Sequence, residues 1–359
     1  MAHIRLDRVT KAFGRNVALR DLTLEIEDGE FFVLLGPTGA GKTTTLRLIA
    51  GLEKPTGGGI FIDGEDVRDW SAAERDVALV FQYYSLCPRY TVFDNLAFPL
   101  RSRVRNYGAA EIDERVRRAA QTLRIGHLLD RKTDKLSGGE MQRVSIGRAI
   151  VREPKVFLMD EPLSNLDAKL REALRSELKD LQMKLGATFL FVTHDQIEAM
   201  SMGDKVGILN GGRIIQVGTP NEIYNRPRDI FVAGFVGSPA MNMIEGELSG
   251  GRASAMGGKL DLPLAAIAAS ANGGGRVTLG IRSEDVRVGP GEPAEARVHD
   301  VENHGVEKIV TLRVDDHLFK ATVPAGVQIA VESPVRFGWN ASKVHCFDRD
   351  TGVNLAYPG

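Results

Sequence analysis

The sequence predicts an α/β domain followed by an all-β domain, and three observations support this fold class. The apolar run from Phe31 to Leu35 is followed by a glycine-rich turn and a helix-forming segment, in the order strand, loop, helix. A second apolar run, residues 156–159, ends abruptly in two acids. Beyond about residue 236, short alternating runs separated by Gly, Pro and Asp clusters indicate the strands of a small barrel.

The glycine-rich turn matches the pattern G-x-x-x-x-G-K-[ST]. Its glycines let backbone N–H groups point inward, and the helix that starts near Lys42 adds the positive end of its dipole, so the turn can cradle phosphate. Lys42 is expected to reach the β- and γ-phosphates of ATP, and Thr43 to place its hydroxyl on Mg²⁺. The residues expected to form this loop are Gly36, Pro37, Thr38, Gly39, Ala40, Gly41, Lys42, Thr43 and Thr44.

The acidic end of the second apolar run predicts the other half of a nucleotide site. A buried parallel strand has its carboxyl end at the edge of the sheet where ligands bind. Asp160 is therefore expected to hold the Mg²⁺ shell, and Glu161 to orient or deprotonate the attacking water. The two features together predict a nucleotide site, but a phosphate-binding loop alone is typical of kinases, GTPases, helicases and transporters alike.

The segment Leu136-Ser137-Gly138-Gly139-Glu140 narrows that class. Ser137 and Glu140 have the spacing of a capping box at the start of a helix from Met141 to Val151, and the two glycines leave backbone N–H groups open to an anion. The segment resembles the signature motif of ATP-binding-cassette (ABC) ATPases, usually written LSGGQ. Glu140 stands where the family pattern has Gln, which adds a negative charge near a phosphate site.

Two further segments resemble the same family in the same chain order. Phe13 lies where the family stacks an aromatic side chain on adenine, and Gln82 resembles the glutamine of the Q-loop. The resemblance implies that Gln82 touches Mg²⁺ and the attacking water and senses the membrane partner. It also places the contact with two transmembrane permease subunits near residues 82–92, a stretch that contains several aromatic side chains.

Later in the chain, residues 164–167 resemble the D-loop, with Asn165 in place of the commoner Ala. Asp167 in this loop is also a plausible helix N-cap. His194 follows an apolar run, 188–193, and resembles the switch histidine that binds the γ-phosphate. The resemblance therefore implies catalytic roles for Lys42, Gln82, Glu161 and His194, and Mg²⁺ ligation by Thr43, Gln82 and Asp160.

A homodimer is a further consequence of this resemblance. In the family two cassettes pair head to tail, so that ATP lies between Lys42 of one subunit and Ser137, Gly138, Gly139 and Glu140 of the other, with Asp167 close by. Binding of ATP then closes the dimer, and loss of the γ-phosphate lets it open.

Composition agrees with such a subunit. The chain has 359 residues, which suit two or three domains, and a formal net charge of -1, which gives no global attraction for nucleic acid. Its two cysteines, Cys87 and Cys346, do not suggest a disulfide framework. No signal-like or membrane-spanning run is apparent. The expected location is the cytoplasmic face of the inner membrane, as a peripheral subunit.

Two domains are expected. Residues 1–236 would form the ATPase domain, with a helical subdomain at about 86–150 that contains an amphipathic helix. A second amphipathic helix ends at Gly186, and we interpret its leucine stripe as core; the stripe consists of Leu170, Leu174, Leu178, Leu181 and Leu185. Residues 237–359 would form an all-β, OB-like domain with strands at 277–281 and 308–314.

The second domain resembles the regulatory domain of carbohydrate-importer ATPases of the maltose, glycerol-phosphate and multiple-sugar type. The matching segments are residues 237–242 and Gly280-Ile281-Arg282-Ser283-Glu284, in which Ser283 replaces the usual Pro. An OB-like barrel can bind oligonucleotides, but no face of interleaved Arg and aromatic residues supports that here. Dimer contact and docking of a regulatory protein are favoured.

The sequence therefore predicts the ATP-hydrolysing subunit of a bacterial-type importer of a sugar or polyol. It would work with an extracytoplasmic solute-binding protein as well as the permease. A polyamine or metal-ion importer is an alternative, because those ATPases share the cassette. A non-transport ABC ATPase is disfavoured by the intact Lys42, Asp160, Glu161 and His194. A chromosome-maintenance cassette is disfavoured by the short Lys42–Ser137 spacing, and a translation cassette by the single phosphate loop.

Overall fold

The protein is described from a computed structural model, which covers residues 2–102, 107–264 and 274–357. The chain divides into two compact units, Met1–Pro220 and Asn221–Gly359. The boundary expected after residue 236 lies further along the chain than this division. Two short helices, Pro220–Asn225 and Ile230–Phe235, occupy the interval, and nearly all of their residues group with the second unit.

The first unit contains two sheets. Their strands are β1 Ile4–Phe13, β2 Asn16–Ile26, β3 Phe31–Leu35, β4 Gly57–Ile62, β5 Glu65–Asp66, β6 Val77–Val80, β7 Val156–Asp160, β8 Thr188–Thr193, β9 Lys205–Asn210 and β10 Arg213–Gly218. One sheet is antiparallel, in the order β2-β1-β4-β5. The larger has the order β10-β9-β3-β8-β7-β6 and is parallel except for β10. Strands β3 and β8 are wholly buried apolar runs, as expected where both faces of a parallel sheet are covered.

The helices of the first unit pack against this sheet or against one another. They are α1 Lys42–Ile49, α2 Val92–Ala97, α3 Ala109–Thr122, α4 Gly138–Ile150, α5 Ala168–Leu185 and α6 Gln196–Met202. Helix α1 contacts β7 and β8, whereas α2, α3 and α4 contact one another. That mutual packing forms a helical subdomain between β6 and β7, as the predicted fold class includes. The buried face of α3 contains Val116, Ala119 and Ala120, as its periodicity predicts.

The leucine stripe of α5 is only partly core. Leu174, Leu178 and Leu181 are buried, but Leu170 is half-buried and Leu185 is 40% exposed. The prediction was therefore wrong at the ends of the stripe. Leu185 is the last helical residue, directly before Gly186, which ends the helix in the left-handed conformation at φ 59°, so no following turn covers the leucine.

The second unit contains the helices α7 Pro220–Asn225 and α8 Ile230–Phe235 and a β domain. Its strands are β11 Asn242–Ser249, β12 Arg252–Ala255, β13 Leu260–Pro263, β14 Gly274–Ile281, β15 Val286–Val288, β16 Ala294–Asn303, β17 Glu307–Val314, β18 His317–Pro324, β19 Pro334–Trp339 and β20 His345–Asp348. They form two five-stranded antiparallel sheets, β13-β12-β11-β14-β20 and β15-β19-β16-β17-β18. One apolar core spans both sheets. The predicted all-β domain and its strands near 277–281 and 308–314 are confirmed.

Candidate nucleotide-binding and catalytic site

The phosphate loop connects β3 to α1 in the predicted order. Gly41, the last loop residue, has φ 110° and ψ 4°, a conformation that favours glycine. A Cβ on Gly41 would lie 2.6 Å from Leu19 Cδ2 and 2.8 Å from Ala18 O, so the loop packs too closely there for any side chain. Lys42 then opens the helix with its side chain buried, and its Nζ donates to the carbonyl of Gly36 at 2.9 Å and to that of Pro37 at 3.1 Å.

The acidic end of β7 lies beside the start of α1. Thr43 donates its hydroxyl proton to Asp160 Oδ1 at 3.0 Å. Burial is the main influence on Asp160 and raises the pKa of its carboxyl, against the lowering effect of the Thr43 hydrogen bond. Glu161 has φ 44°, a left-handed conformation that is unusual for this residue type, and its N–H donates to the carbonyl of Val192 at 3.0 Å. The neighbouring strand β8 thus holds Glu161 in place.

The carboxylate of Glu161 lies between two of the predicted catalytic residues. Its Oε1 is 3.5 Å from Lys42 Nζ, and its Oε2 is 3.0 Å from His194 Nδ1. The Lys42 side chain is buried, whereas the His194 side chain is 55% exposed. The three residues come from three loops that follow β3, β7 and β8, which are neighbouring parallel strands with their carboxyl ends at one edge.

A cavity of about 780 Å³ lies at this edge of the sheet. Ten of the predicted site residues line it, and they are Phe13, Thr38, Gly39, Gly41, Lys42, Thr43, Thr44, Gln82, Glu161 and His194. Phe13 is 46% exposed, and Lys11 Nζ lies 4.6 Å from the centre of its ring. One aromatic face at the rim of the cavity is consistent with the predicted stacking on a base.

Further residues line the cavity that the sequence did not predict as site residues. They are Asn16, Val17, Ala18, Arg20, Gly211 and Gly212. The first four lie on β2, directly after the turn from Phe13. The glycine pair forms the turn between β9 and β10, where Gly212 donates to Ala40 O at 3.1 Å and accepts from Arg20 N–H at 2.9 Å. A Gly-Gly pair between two strand-like runs was the available signal, but it indicates only a turn and not what the turn contacts.

Gln82 forms hydrogen bonds with the segment that follows Glu161. Asn165 Nδ2 donates to the Gln82 carbonyl at 2.9 Å, and Gln82 Nε2 donates to Ser164 Oγ at 3.4 Å. The Ser164 hydroxyl in turn donates to the carbonyl of Glu161 at 2.9 Å. The resemblance predicted roles for these loops separately; the structure brings them into direct contact.

The signature segment has the predicted capping box. Ser137 N–H donates to Glu140 Oε2 at 2.7 Å, and Glu140 N–H donates to Ser137 Oγ at 3.4 Å. Hydrogen bonds from the backbone and hydroxyl of Ser137 lower the pKa of the Glu140 carboxyl. Asp167 caps α5 by accepting from Leu170 N–H at 3.1 Å, also as predicted. Within the described ranges, the lining of the nucleotide-sized cavity includes neither residues 137–140 nor Asp167.

The loop geometry, the Thr43–Asp160 pair and the Lys42–Glu161–His194 cluster together define a P-loop nucleotide-binding domain. Family models match three parts of the chain: ABC transporter over residues 19–164, MalK OB fold domain over 237–286 and TOBE domain over 279–347. In the part of the chain that the structure describes, no helix is long and apolar enough to cross a bilayer.

Curated relatives extend over nearly the whole chain. The trehalose/maltose import ATP-binding protein MalK of Thermococcus litoralis is 47% identical, with 98% of this chain and 99% of that protein covered. The sn-glycerol-3-phosphate import ATP-binding protein UgpC of Ruegeria pomeroyi is 45% identical, with 99% and 100% covered. The xylose/arabinose import ATP-binding protein XacK of Haloferax volcanii is 45% identical, with 99% and 96% covered. The chain therefore belongs to the ABC transporter family, among the ATP-hydrolysing subunits of importers.

Solved structures agree for the first unit. A dimeric ATP-binding cassette in a post-hydrolysis state with ADP and Pi is 32% identical, with a TM-score of 0.54 over 60% of this chain and 98% of that one. An ATP-binding cassette in its ADP conformation is 26% identical, with a TM-score of 0.57 over 63% of this chain and 96% of that one. The predicted family, fold class and enzyme class are confirmed.

Proposed function

We propose that this chain hydrolyses ATP as a homodimer and thereby drives uptake of a sugar, polyol or related carbohydrate through separate membrane subunits. The observation that supports hydrolysis is the position of Glu161 between Lys42 and His194 beside one cavity. Phosphoryl transfer to water needs a cation for the γ-phosphate, a group that orients or deprotonates the water, and a donor to the transferred phosphoryl oxygens. Lys42, Glu161 and His194 supply these in turn.

The Lys42 contacts suggest how phosphate would be received. Its Nζ donates to two carbonyls of its own loop and pairs with Glu161. The β- and γ-phosphate oxygens of ATP would replace these partners and leave the Glu161 carboxylate to act on water. Glu161 then orients that water or takes its proton while the water oxygen bonds to the γ-phosphorus and the bond from that phosphorus to the bridging oxygen of ADP breaks. His194 donates to the γ-phosphate, and Gln82 lies at the same cavity to position the water.

Thr43 and Asp160 fit a magnesium ion, because they bring a hydroxyl and a carboxylate oxygen together at 3.0 Å. Gln82 is the third proposed ligand. Among the residues described, no cluster of three or more His, Cys, Asp or Glu side chains could hold a metal, so phosphate and water oxygens would complete the shell. When bound, Mg²⁺ neutralises charge on the β- and γ-phosphates.

The homodimer is proposed because the signature segment and the cavity are separate within one chain. Residues 137–140 and Asp167 each start a helix, α4 and α5, but none of them lines the cavity that contains Lys42. A second copy paired head to tail would bring its residues 137–140 to the ATP held by Lys42. The solved structure of a dimeric cassette with ADP and Pi supports a dimer.

Contact with the permease is proposed for residues 82–92. Tyr83 is 74% exposed and Tyr90 is 41% exposed, so this stretch offers aromatic surface next to Gln82. Such a subunit would sit peripherally on the cytoplasmic face of the inner membrane, and the full complex would include an extracytoplasmic solute-binding protein. Residues 1–236 would act as the ATPase domain. Residues 237–359 would act as a regulatory domain that contacts the same domain of the second subunit or a regulatory protein.

A carbohydrate cargo is supported by the relatives, whose names give trehalose, maltose, xylose, arabinose and sn-glycerol-3-phosphate. The test is uptake into proteoliposomes that contain this chain and the permease subunits encoded beside its gene. Radiolabelled disaccharides, pentoses, glycerol phosphate and a polyamine would be compared, each with its solute-binding protein. Uptake of the polyamine alone would overturn the cargo class. Absence of Mg²⁺-dependent ATPase activity in the assembled complex would overturn the enzyme role.

A further inference from the structure

Arg171 connects the two segments that follow Glu161 and His194. It lies in the first turns of α5, and its Nη2 donates to the carbonyl of Leu166 at 3.0 Å. Its Nη1 donates to Asp195 Oδ2 at 3.4 Å. Leu166 belongs to the loop that leads away from Glu161, and Asp195 directly follows His194. One planar guanidinium therefore spans both loops that contribute to the candidate catalytic pair.

The Asp195 end of this bridge holds the backbone on both sides of His194. Asp195 Oδ1 accepts from the N–H groups of Ile197 at 2.8 Å and Glu198 at 3.2 Å and so caps α6. Asp195 N–H donates to Thr193 Oγ1 at 2.9 Å, and the Thr193 hydroxyl donates to Glu198 Oε2 at 2.5 Å. The residues before and after His194 thus belong to one hydrogen-bonded network.

Charge explains why this network needs a cation. Glu198 is only 2% exposed, and Arg171 Nε lies 4.0 Å from its Oε1. That Nε is buried and has no hydrogen-bond partner among the described residues. Its interaction with the Glu198 carboxylate is therefore an ion pair and not a hydrogen bond. Arg171 therefore faces two acids, Asp195 and Glu198, while Arg175 acts on Glu198 only through its charge. A buried acid left without its cation is strongly unfavourable.

We infer that Arg171 is a positioning residue that holds His194 against Glu161 by tying Asp195 and Glu198 to the loop after Glu161. The inference rests on the proposed roles of Glu161 and His194 in hydrolysis. It extends them, because Arg171 does not line the cavity and yet fixes the orientation of a group that does. A displacement of about 1 Å in a catalytic group can lower a rate by about 100-fold, so the loss of this bridge acts on turnover more than on binding.

The first experiment compares Arg171→Met, Arg171→Lys and the control Arg175→Met in the full chain, assembled with its permease. We expect Arg171→Met to lower kcat by about 10- to 100-fold while KM for ATP stays within about threefold. Arg171→Lys keeps the charge but not the planar fork, so its kcat is expected to stay well below that of the wild type. Arg175→Met is expected to keep kcat within about twofold, because the hydrogen bonds to Asp195 and to the Leu166 carbonyl both come from Arg171 and remain in place.

A second comparison separates positioning from general stability. Arg171→Met combined with Glu198→Gln removes the cation and one of its acids together, so the melting temperature should return toward that of the wild type while kcat stays low. Recovery of kcat together with the melting temperature would overturn the inference, as would wild-type kcat in Arg171→Met alone. Nuclear magnetic resonance of ¹⁵N-labelled histidine should show the His194 signal, assigned from His194→Ala, shifted in Arg171→Met and unchanged in Arg175→Met.

A different result would contradict the proposed function and not the role of Arg171. If His194→Ala keeps the wild-type kcat, the catalytic role proposed for His194 is wrong, whatever Arg171 does. If His194→Ala loses activity while Arg171→Met keeps it, the proposed function stands and only the role of Arg171 is wrong.

Discussion

Lys42 Nζ lies 3.5 Å from Glu161 Oε1, so the cation proposed to bind phosphate and the carboxylate proposed to act on water form an ion pair. This pairing keeps a buried lysine from standing without a counter-charge. It also implies an exchange on ATP binding, because the γ-phosphate competes with Glu161 for the same ammonium group. Removal of Lys42 should therefore affect the interaction with the γ-phosphate, whereas removal of Glu161 should affect the attack of water.

Lys42→Ala is expected to abolish hydrolysis, with kcat/KM lowered by at least about 100-fold, since the γ-phosphate loses its main side-chain cation. The measurement is phosphate release at saturating Mg²⁺-ATP. Lys155→Ala is a suitable control, because the Lys155 side chain forms an exposed ion pair with Asp63 at 3.0 Å and does not line the cavity. Hydrolysis in Lys42→Ala at the rate of the control would contradict the role of Lys42.

Glu161→Gln is expected to bind ATP without turning it over, because the amide cannot take a proton from water but fills the same space. The ATP-bound dimer should then accumulate. Size-exclusion chromatography with ATP should show a shift to twice the monomer mass for this variant and not for Lys42→Ala. A variant that stays monomeric with bound ATP would argue against the head-to-tail homodimer.

Glu140→Gln is expected to leave ATPase activity within about threefold of the wild type. The Glu140 carboxylate is engaged by Ser137 as a helix cap, and a glutamine oxygen can accept the same hydrogen bond. A steady-state ATPase assay of the assembled complex tests this. A rise or fall of tenfold or more would mean instead that the charge of Glu140 acts at the composite site with the partner copy.

The same substitution should change how stability depends on pH. Because the folded-state pKa of Glu140 lies below its ordinary value of 4.5, the carboxylate stabilises the fold above about pH 4.5 and loses that effect as the pH falls through the folded pKa. The difference in free energy of unfolding between wild type and Glu140→Gln should therefore shrink below about pH 4.5. Urea unfolding from pH 3 to pH 7 measures it; a constant difference would exclude this contribution.

Asn165→Ala introduces the residue that is commoner at this D-loop position and removes the 2.9 Å hydrogen bond to the Gln82 carbonyl. We expect a small loss of stability, about 0.5–1.5 kcal/mol. Gln82 should also be held less firmly, with kcat lowered about two- to fivefold. Asn225→Ala in α7 is the matched control for thermal unfolding and ATPase rate, because the Asn225 amide donates to Asn221 within the same short helix. Equal rates in both variants would mean that the Asn165 bridge is dispensable.

Much of the fold and site could be predicted locally. Three features depend on residues within a few positions of one another, so they can be recognised in the sequence: the phosphate loop, the acidic end of β7 and the capping box at Ser137. The leucine stripe of α5 shows the limit of such patterns. Periodicity identified the apolar face, but only packing decided that Leu185, at the end of the helix, would remain exposed.

Sequence patterns are enough to predict which parts this protein contains: two domain types, the ABC motifs and the candidate residues Lys42, Glu161 and His194. Packing brings Glu161 between the other two, places Gly212 in the lining of the cavity, and lets Arg171 join the segments that follow Glu161 and His194. The physical reason is that a motif reports local backbone geometry. Contacts between residues far apart in the chain depend instead on how strands and helices pack.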